Sequence, residues 1–189
     1  MAIILHIKNM VCPRCIMVVE NELEVMGAKV QEVELGYAQV TLPAKLTLEE
    51  VDAQLRRCGL ELIYEPENVL IEQTKIAILD YLNHVKAKGK NAKKLSEYIS
   101  LKVGKNYGYL SKMFSRHTND TLESYYIHLR VEKVKEFLDY DQLNASEIAM
   151  TLGYSSVHYL SNQFKRVTGF SVSEYKRRVK IDRASLDNL

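Results

Sequence analysis

Tyr109-Leu-Ser-Lys-Met-Phe-Ser-Arg-His-Thr118 returns 50 residues later as Tyr159-Leu-Ser-Asn-Gln-Phe-Lys-Arg-Val-Thr168. Tyr, Leu, Ser, Phe, Arg and Thr recur in register, and Tyr125 and Tyr175 extend the correspondence. A repeat of this length marks a duplicated structural unit. In each copy Tyr, Leu and Phe stand at i, i+1 and i+5 and are expected on one apolar helical stripe. The opposite stripe holds Gly108, Ser111, Lys112 and Ser115 in the first copy, and His158, Ser161, Asn162 and Lys165 in the second. Two ordinary helical hairpins would leave that duplicated small, polar and basic face without a purpose.

The residues ahead of each copy sharpen the pattern. Ser100 and Gly104 are four apart, as are Ala149 and Gly153. A small residue lets a second helix approach, and a glycine takes the left-handed conformation that ends a helix. Asn106 and the Ser155-Ser156 pair offer N-caps for the helix that follows. Each unit therefore reads as helix, glycine turn, helix: a helix-turn-helix whose second helix presents donors to a DNA major groove.

Charge supports this division of labour. The 189 residues carry a net charge of +2 and are 47% hydrophobic, enough for two domains with real cores. Residues 1–68 hold 6 Lys+Arg and 11 Asp+Glu, a balance of −5; the remaining 20 Lys+Arg and 13 Asp+Glu give residues 69–189 a balance of +7. The basic portion contains the repeat, as phosphate binding requires. No apolar run reaches the ~18 residues of a membrane span, and no signal-peptide layout opens the chain. Three cysteines without such a segment point to a reducing cytoplasm, where CxxC signals metal or redox chemistry.

At the start, Ile3, Leu5 and Ile7 alternate with Ile4, His6 and Lys8 as in a half-buried strand. A loop is expected from Lys8 to Cys15, with Asn9 and Pro13 breaking the pattern, then a helix from Ile16 to Met26. Val30–Leu35, with Gln31, Val33 and Leu35 on one face, and Ala38, Val40, Leu42 form a hairpin turning at Gly36-Tyr37. Thr47-Leu-Glu-Glu50 is a capping box opening a helix that ends at Cys58-Gly59, and Leu60, Leu62 and Tyr64 make a last strand. The order βαββαβ predicts an α+β, ferredoxin-like domain with two helices on one face of an antiparallel sheet.

Met10, Cys12 and Cys15, between the first strand and first helix of such a unit, resemble the motif of heavy-metal-associated domains. The resemblance covers residues 1–66 and differs in having Asn9 where glycine is usual. Two thiols three residues apart at a helix N-terminus, with Arg14 between them, favour thiolate and suit Cu(I) or Zn(II). No other cofactor is implied. Cys58 is a candidate third ligand, although a small buried apolar residue is the weightier expectation. Met10 is expected in the core, and His6 on the outer face of its strand.

Residues 67–71 are expected to link this domain to a second, at 72–178, and 179–189 form a polar tail. A helix is expected from Ile71 through Ile78, Leu82 and Val85. Thr121 caps a longer one running to Tyr140, and Asn144 caps the next. Nearly twenty residues at ~1.5 Å each give a rod of roughly 27–30 Å, against ~34 Å for one turn of B-DNA. Such a strut can hold two reading heads over successive grooves.

Residues 72–178 form an all-α domain that resembles the DNA-binding domain of AraC/XylS-type bacterial regulators. The resemblance is carried by Ile148-Ala-Met-Thr-Leu-Gly-Tyr154, Tyr159-Leu-Ser-Asn-Gln-Phe-Lys-Arg166 and Thr168-Gly-Phe-Ser-Val-Ser-Glu-Tyr-Lys176. It implies base contacts from Gly108, Ser111, Lys112, His158, Ser161 and Asn162. Arg116, Lys165 and Arg166 suit phosphates, with Asn106, Ser115 and Ser156 completing the surface. Lys112 can read guanine and Asn162 adenine. Asn119 stands where glycine is usual but tolerates the same backbone. The implied partners are double-stranded DNA and RNA polymerase; oligomeric state stays open.

The expectation is thus a DNA-binding transcription regulator with a thiol module that senses a thiophilic metal. The alternatives are redox control through Cys12 and Cys15, or a metal-trafficking protein with a helical scaffold. No nucleophile–base constellation or phosphate-cradling loop suggests an enzyme.

Overall fold

The computed structural model describes residues 2–140 and 143–177, so the tail at 179–189 lies outside the described residues. The chain divides into two compact units, Met1–Ala77 with Ile99–Met113, and Ile78–Tyr98 with Phe114–Leu189.

The first unit opens with β1 (Ile3–Lys8), α1 (Pro13–Val25), β2 (Lys29–Glu34), β3 (Tyr37–Thr41), α2 (Leu48–Arg57) and β4 (Glu61–Ile63). The strands form one four-stranded antiparallel sheet in the order β2-β3-β1-β4. Alternation places Leu5, Ile7, Ala38, Val40 and Leu62 in a core with Val19 and Leu23 of α1 and Val51 and Leu55 of α2. Met10 joins that core fully buried. The capping box at Thr47 forms: its hydroxyl accepts from the Glu50 N–H, and the Glu50 carboxylate accepts from the Thr47 N–H at 2.9 Å.

Three local expectations are corrected. Helix α1 begins at Pro13, not Ile16, because proline fits the first helical turn, whose N–H needs no partner. Cys15 therefore stands within the helix. In β2 the register shifts between Val30 and Glu32, so Val30 opposes Val40 and Val33 opposes Ala38. Gln31 is the extra residue of a bulge, and its amide donates to Thr41 Oγ1 at 3.0 Å instead of sharing a face with Val33. The turn falls at Leu35-Gly36, with Gly36 at φ +90° and Tyr37 already in β3.

The expected linker is helical as well. Helix α3 runs without a break over Pro66–Lys88, proline again standing at the start. Within the first unit its early turns lie beside the sheet. The Ile76 side chain fills the space beside Gly36, and Val69 and Gln73 line a cavity of about 30 Å³ with His6, Tyr37 and Ile63. His6 is half-buried there.

A 3₁₀ turn (Gly89–Asn91) follows, then α4 (Leu95–Val103), α5 (Tyr107–Thr118), α6 (Leu122–Asp139), α7 (Ala145–Thr151) and α8 (Val157–Thr168), with helical backbone again at 172–177. In the second unit Val131, Val134 and Leu138 of α6 pack with Ile148, Ala149, Leu152, Leu160 and Phe164. Helix α6 has 18 residues, a length of ~27 Å. Among the described residues no helix is long and apolar enough to cross a membrane.

Candidate nucleic-acid interface

The turns before α5 and α8 use glycine for its backbone. Gly104 lies at φ +69° and Gly153 at φ +66°. Gly104 N–H donates to Ser100 O at 2.9 Å. In the second unit Tyr154 N–H donates to Ala149 O at 2.8 Å and Gly153 N–H to Met150 O at 3.2 Å, the paired bonds of a left-handed C-cap. The next helices start where the sequence puts them. Asn106 Oδ1 accepts from Gly108 N–H at 2.8 Å, and Ser156 Oγ accepts from Tyr159 N–H at 3.1 Å. Both side chains, expected on the interface, are engaged in capping.

Helices α5 and α8 bury matching positions: Leu110, Met113 and Phe114 in one, Leu160, Gln163 and Phe164 in the other. Tyr109 and Tyr159 are 53% and 50% exposed, against the expectation that they join the apolar stripe. The reason is angular. Each lies ~100° round the helix from the following leucine, which centres the stripe made at i, i+3 and i+4. Their rings stand instead beside the polar face.

That face is as expected in composition. Gly108, Lys112 and Arg116 are exposed on α5, with Ser111 and Ser115 half-buried. His158, Asn162, Lys165 and Arg166 are exposed on α8, with Ser161 half-buried. Asn162 Nδ2 lies 3.0 Å from His158 Nε2, one turn away, so the two groups are mutually oriented. Arg116 near the C-terminal end of α5, and Lys165 and Arg166 near that of α8, complement the helix dipole and remain outward.

The ends of the two helices are built alike. Thr118 Oγ1 donates to Phe114 O at 2.7 Å and accepts from Asp120 N–H at 3.3 Å. Thr168 Oγ1 donates to Phe164 O at 2.8 Å and accepts from Phe170 N–H at 3.2 Å. Asn119 at φ +57° and Gly169 at φ +80° make the turn. Phe114 meets Tyr125, and Phe164 meets Tyr175, both with ring centres 5.5 Å apart.

One residue of the second unit was not singled out by its sequence. Arg130 of α6 is 8% exposed, its guanidinium carbon 3.5 Å from the ring centre of Tyr154 and 5.2 Å from that of Tyr126. The available signal is its place on the apolar stripe with Val131, Val134 and Leu138, where a charge requires a special partner.

The thiol pair lies in the first unit. Cys12 is the N-cap of α1, with extended backbone, and its Sγ is 3.6 Å from that of Cys15. The Cys15 N–H, then the Cys15 thiol, the Arg14 N–H and the Arg14 charge hold the Cys12 thiol below its ordinary pKa, against partial burial. Cys58, the C-cap of α2, is exposed, contrary to its expected burial. Among the described residues no three Cys, His, Asp or Glu side chains gather to hold an ion.

A family model described as a helix-turn-helix domain matches residues 99–178. The Msm operon regulatory protein of Streptococcus mutans is 26% identical over 129 residues, 62% of this chain and 46% of its own length. The raffinose operon transcriptional regulatory protein RafR of Pediococcus pentosaceus is 29% identical over 110 residues, covering 58% of this chain and 38% of its own. The chain thus spans less than half the length of these relatives. Among solved structures, the C-terminal domain of the response regulator yesN of Fusobacterium nucleatum is similar at 27% identity and a TM-score of 0.44, over 52% of this chain and 93% of that one. The DNA-binding domain of AdpA, solved with target DNA, is similar at 17% identity and a TM-score of 0.47, over 57% and 96%. Through residues 99–178 the chain is thus similar to the helix-turn-helix domain, and across a wider stretch to operon regulatory proteins.

Proposed function

We propose that the chain is a sequence-specific transcription regulator that reads double-stranded DNA with α5 and α8. The carrying observation is the matched burial of the two helices, which leaves the same turns exposed in both while the exposed residues differ. Gly108, Ser111, Lys112, His158, Ser161 and Asn162 face the bases, and Arg116, Lys165 and Arg166 the phosphates. Helix α6 is ~27 Å long, of the order of one duplex turn. Mobility shift on a selected site tests this. Lys112→Ala and Asn162→Ala should each weaken specific binding about 5- to 150-fold, the 1–3 kcal/mol of a base contact. Arg166→Ala should weaken all sequences alike and flatten the salt dependence. Unchanged specific binding by both reader variants would overturn the assignment.

We also read the N-terminal unit as a ferredoxin-like module of the heavy-metal-associated type, sensing a thiophilic ion. Its strand order and a thiol pair at a helix N-terminus support this. The two sulfurs stand 3.6 Å apart, close enough for both thiols to hold one thiophilic ion. With two ligands, the pair fits low-coordinate Cu(I) better than a structural zinc site, which needs four. Purified chain should bind about one Cu(I), lost in Cys12→Ser with Cys15→Ser, and Cu(I) should change DNA affinity. Absence of both effects would remove the sensing role, leaving a Cys12–Cys15 disulfide as the switch if oxidation changes affinity.

A further inference from the structure

The sheet-covering half of α3 carries a carboxylate that neither the core nor the DNA-reading helices require. Glu72 is only 6% exposed. Its Oε1 accepts from the Asn9 backbone N–H at 2.9 Å, and its Oε2 lies 3.5 Å from Lys75 Nζ. A buried carboxylate is costly unless it is paired and hydrogen-bonded, and an apolar residue would fill the place more cheaply. Its recipient is informative. Asn9 is held at φ +71°, its own amide donates to Gly59 O at 3.1 Å, and the next residue, Met10, is fully buried. Three residues after Asn9 comes Cys12, whose extended backbone starts α1 and aims Sγ at Cys15. The segment that presents the thiols is therefore fastened from α3 through Glu72, from the end of α2 through Gly59, and from the core through Met10.

We infer that Glu72 is a positioning residue for the thiol pair: by gripping the Asn9 N–H it fixes the loop that presents Cys12, and it makes the state of the thiols felt by α3. The inference rests on Cys12 and Cys15 being the responsive groups of the module. A hydrogen bond made directly to a ligand orients it, and its loss typically costs 10- to 100-fold in affinity; Glu72 acts one step further out, through the Asn9 backbone. The coupling is reciprocal: whatever factor Glu72 contributes to ion binding, the ion returns as added stability of the Glu72–Asn9 bond and of the helix turn that bears it.

The test uses the full chain, with Glu72→Ala and Glu72→Gln. Three quantities are read: Cu(I) affinity by competition with a chromogenic chelator, the rate of Cys12 alkylation by iodoacetamide, and amide exchange over 66–77 with and without Cu(I). Glu72→Ala should weaken Cu(I) binding by up to about 10-fold, the low end of the range for a direct ligand contact, and alter the Cys12 rate. Glu72→Gln, which keeps an oxygen acceptor, should recover most of both. In the unsubstituted chain Cu(I) should slow exchange over 66–77. Wild-type affinity and alkylation rate in a folded Glu72→Ala chain would overturn the inference while leaving the metal reading intact. An exchange pattern blind to bound Cu(I) in the unsubstituted chain would overturn it without any variant. Failure of the unsubstituted chain to bind Cu(I), with a Cys12 rate that still depends on Glu72, would remove the metal reading and uphold the positioning role.

Discussion

The guanidinium carbon of Arg130 stands 3.5 Å from the ring centre of Tyr154, joining helix α6 to the turn between α7 and α8. Arg130 Nε and Nη2 and the Tyr154 hydroxyl are buried without a hydrogen-bond partner among the described residues, so the contact relies on the ring face. Arg130→Ala should lower unfolding stability by roughly 2–4 kcal/mol, through lost packing and the cation–π contact together. Arg130→Met, which keeps the stem and removes the unpaired donors, should cost less. Urea unfolding of both variants checks the order.

Tyr126, also beside Arg130, gives a pH signature. Burial pushes its phenol up to about 12, partly opposed by the Arg130 charge. In the unfolded chain the phenol titrates near its ordinary 10, so between the two values the folded state holds a proton that the unfolded state has released. Its contribution is fully present below pH ~10 and is lost as pH rises toward ~12, by roughly 2 kcal/mol in all. Tyr126→Phe should flatten that part of the stability profile, measured by urea unfolding from pH 8 to 12.

Two glycines with the same backbone should respond differently. Gly104 and Gly153 are both left-handed, but a Cβ at Gly104 would meet open space, whereas one at Gly153 would collide with Val85 Cγ1. Gly104→Ala should cost about 1 kcal/mol, the conformational penalty alone. Gly153→Ala adds overpacking and should cost roughly 2–4 kcal/mol. Thermal melts of the pair separate the contributions.

Asn119 and Gly169 occupy equivalent turns at φ +57° and +80°. Asn119→Gly should be close to neutral, within about 0.5 kcal/mol, and Gly169→Ala should destabilise by about 1 kcal/mol. Chemical denaturation of the two variants decides it.

The duplicated unit was legible because its signals are local: leucine and phenylalanine spacing, a glycine at each turn, a capping residue before each second helix. What escaped depended on tertiary partners. Pro13 and Pro66 resemble breaks, yet both start helices, because a proline N-terminal to a helix and one inside it look the same until the turn is known. Gln31 keeps strand alternation on paper, and only pairing with β3 exposes it as the extra residue of a bulge. Tyr109 and Tyr159 sit ~100° from the buried stripe, a boundary position where periodicity cannot decide. Glu72 and Arg130 look like ordinary charges on amphipathic helices. Their burial is fixed by Asn9 in one case and by Tyr126 and Tyr154 in the other, contacts across 63 and 24 residues at most. Of the candidate interface, the exposure of Gly108, Lys112, Arg116, His158, Asn162, Lys165 and Arg166 follows from the helical period, whereas Ser111, Ser115 and Ser161 are half-buried and Asn106 and Ser156 also serve as caps.

The threonine–phenylalanine–tyrosine knot that closes both α5 and α8 is identical in kind, while the outward residues before it differ. Foundation and inscription are therefore separable. On the proposed reading, transplanting His158, Asn162 and Lys165 onto Gly108, Lys112 and Ser115 should give a protein that melts like its parent yet prefers DNA with two like half-sites. A lineage that duplicated such a unit could revise one word of its address without rebuilding the page.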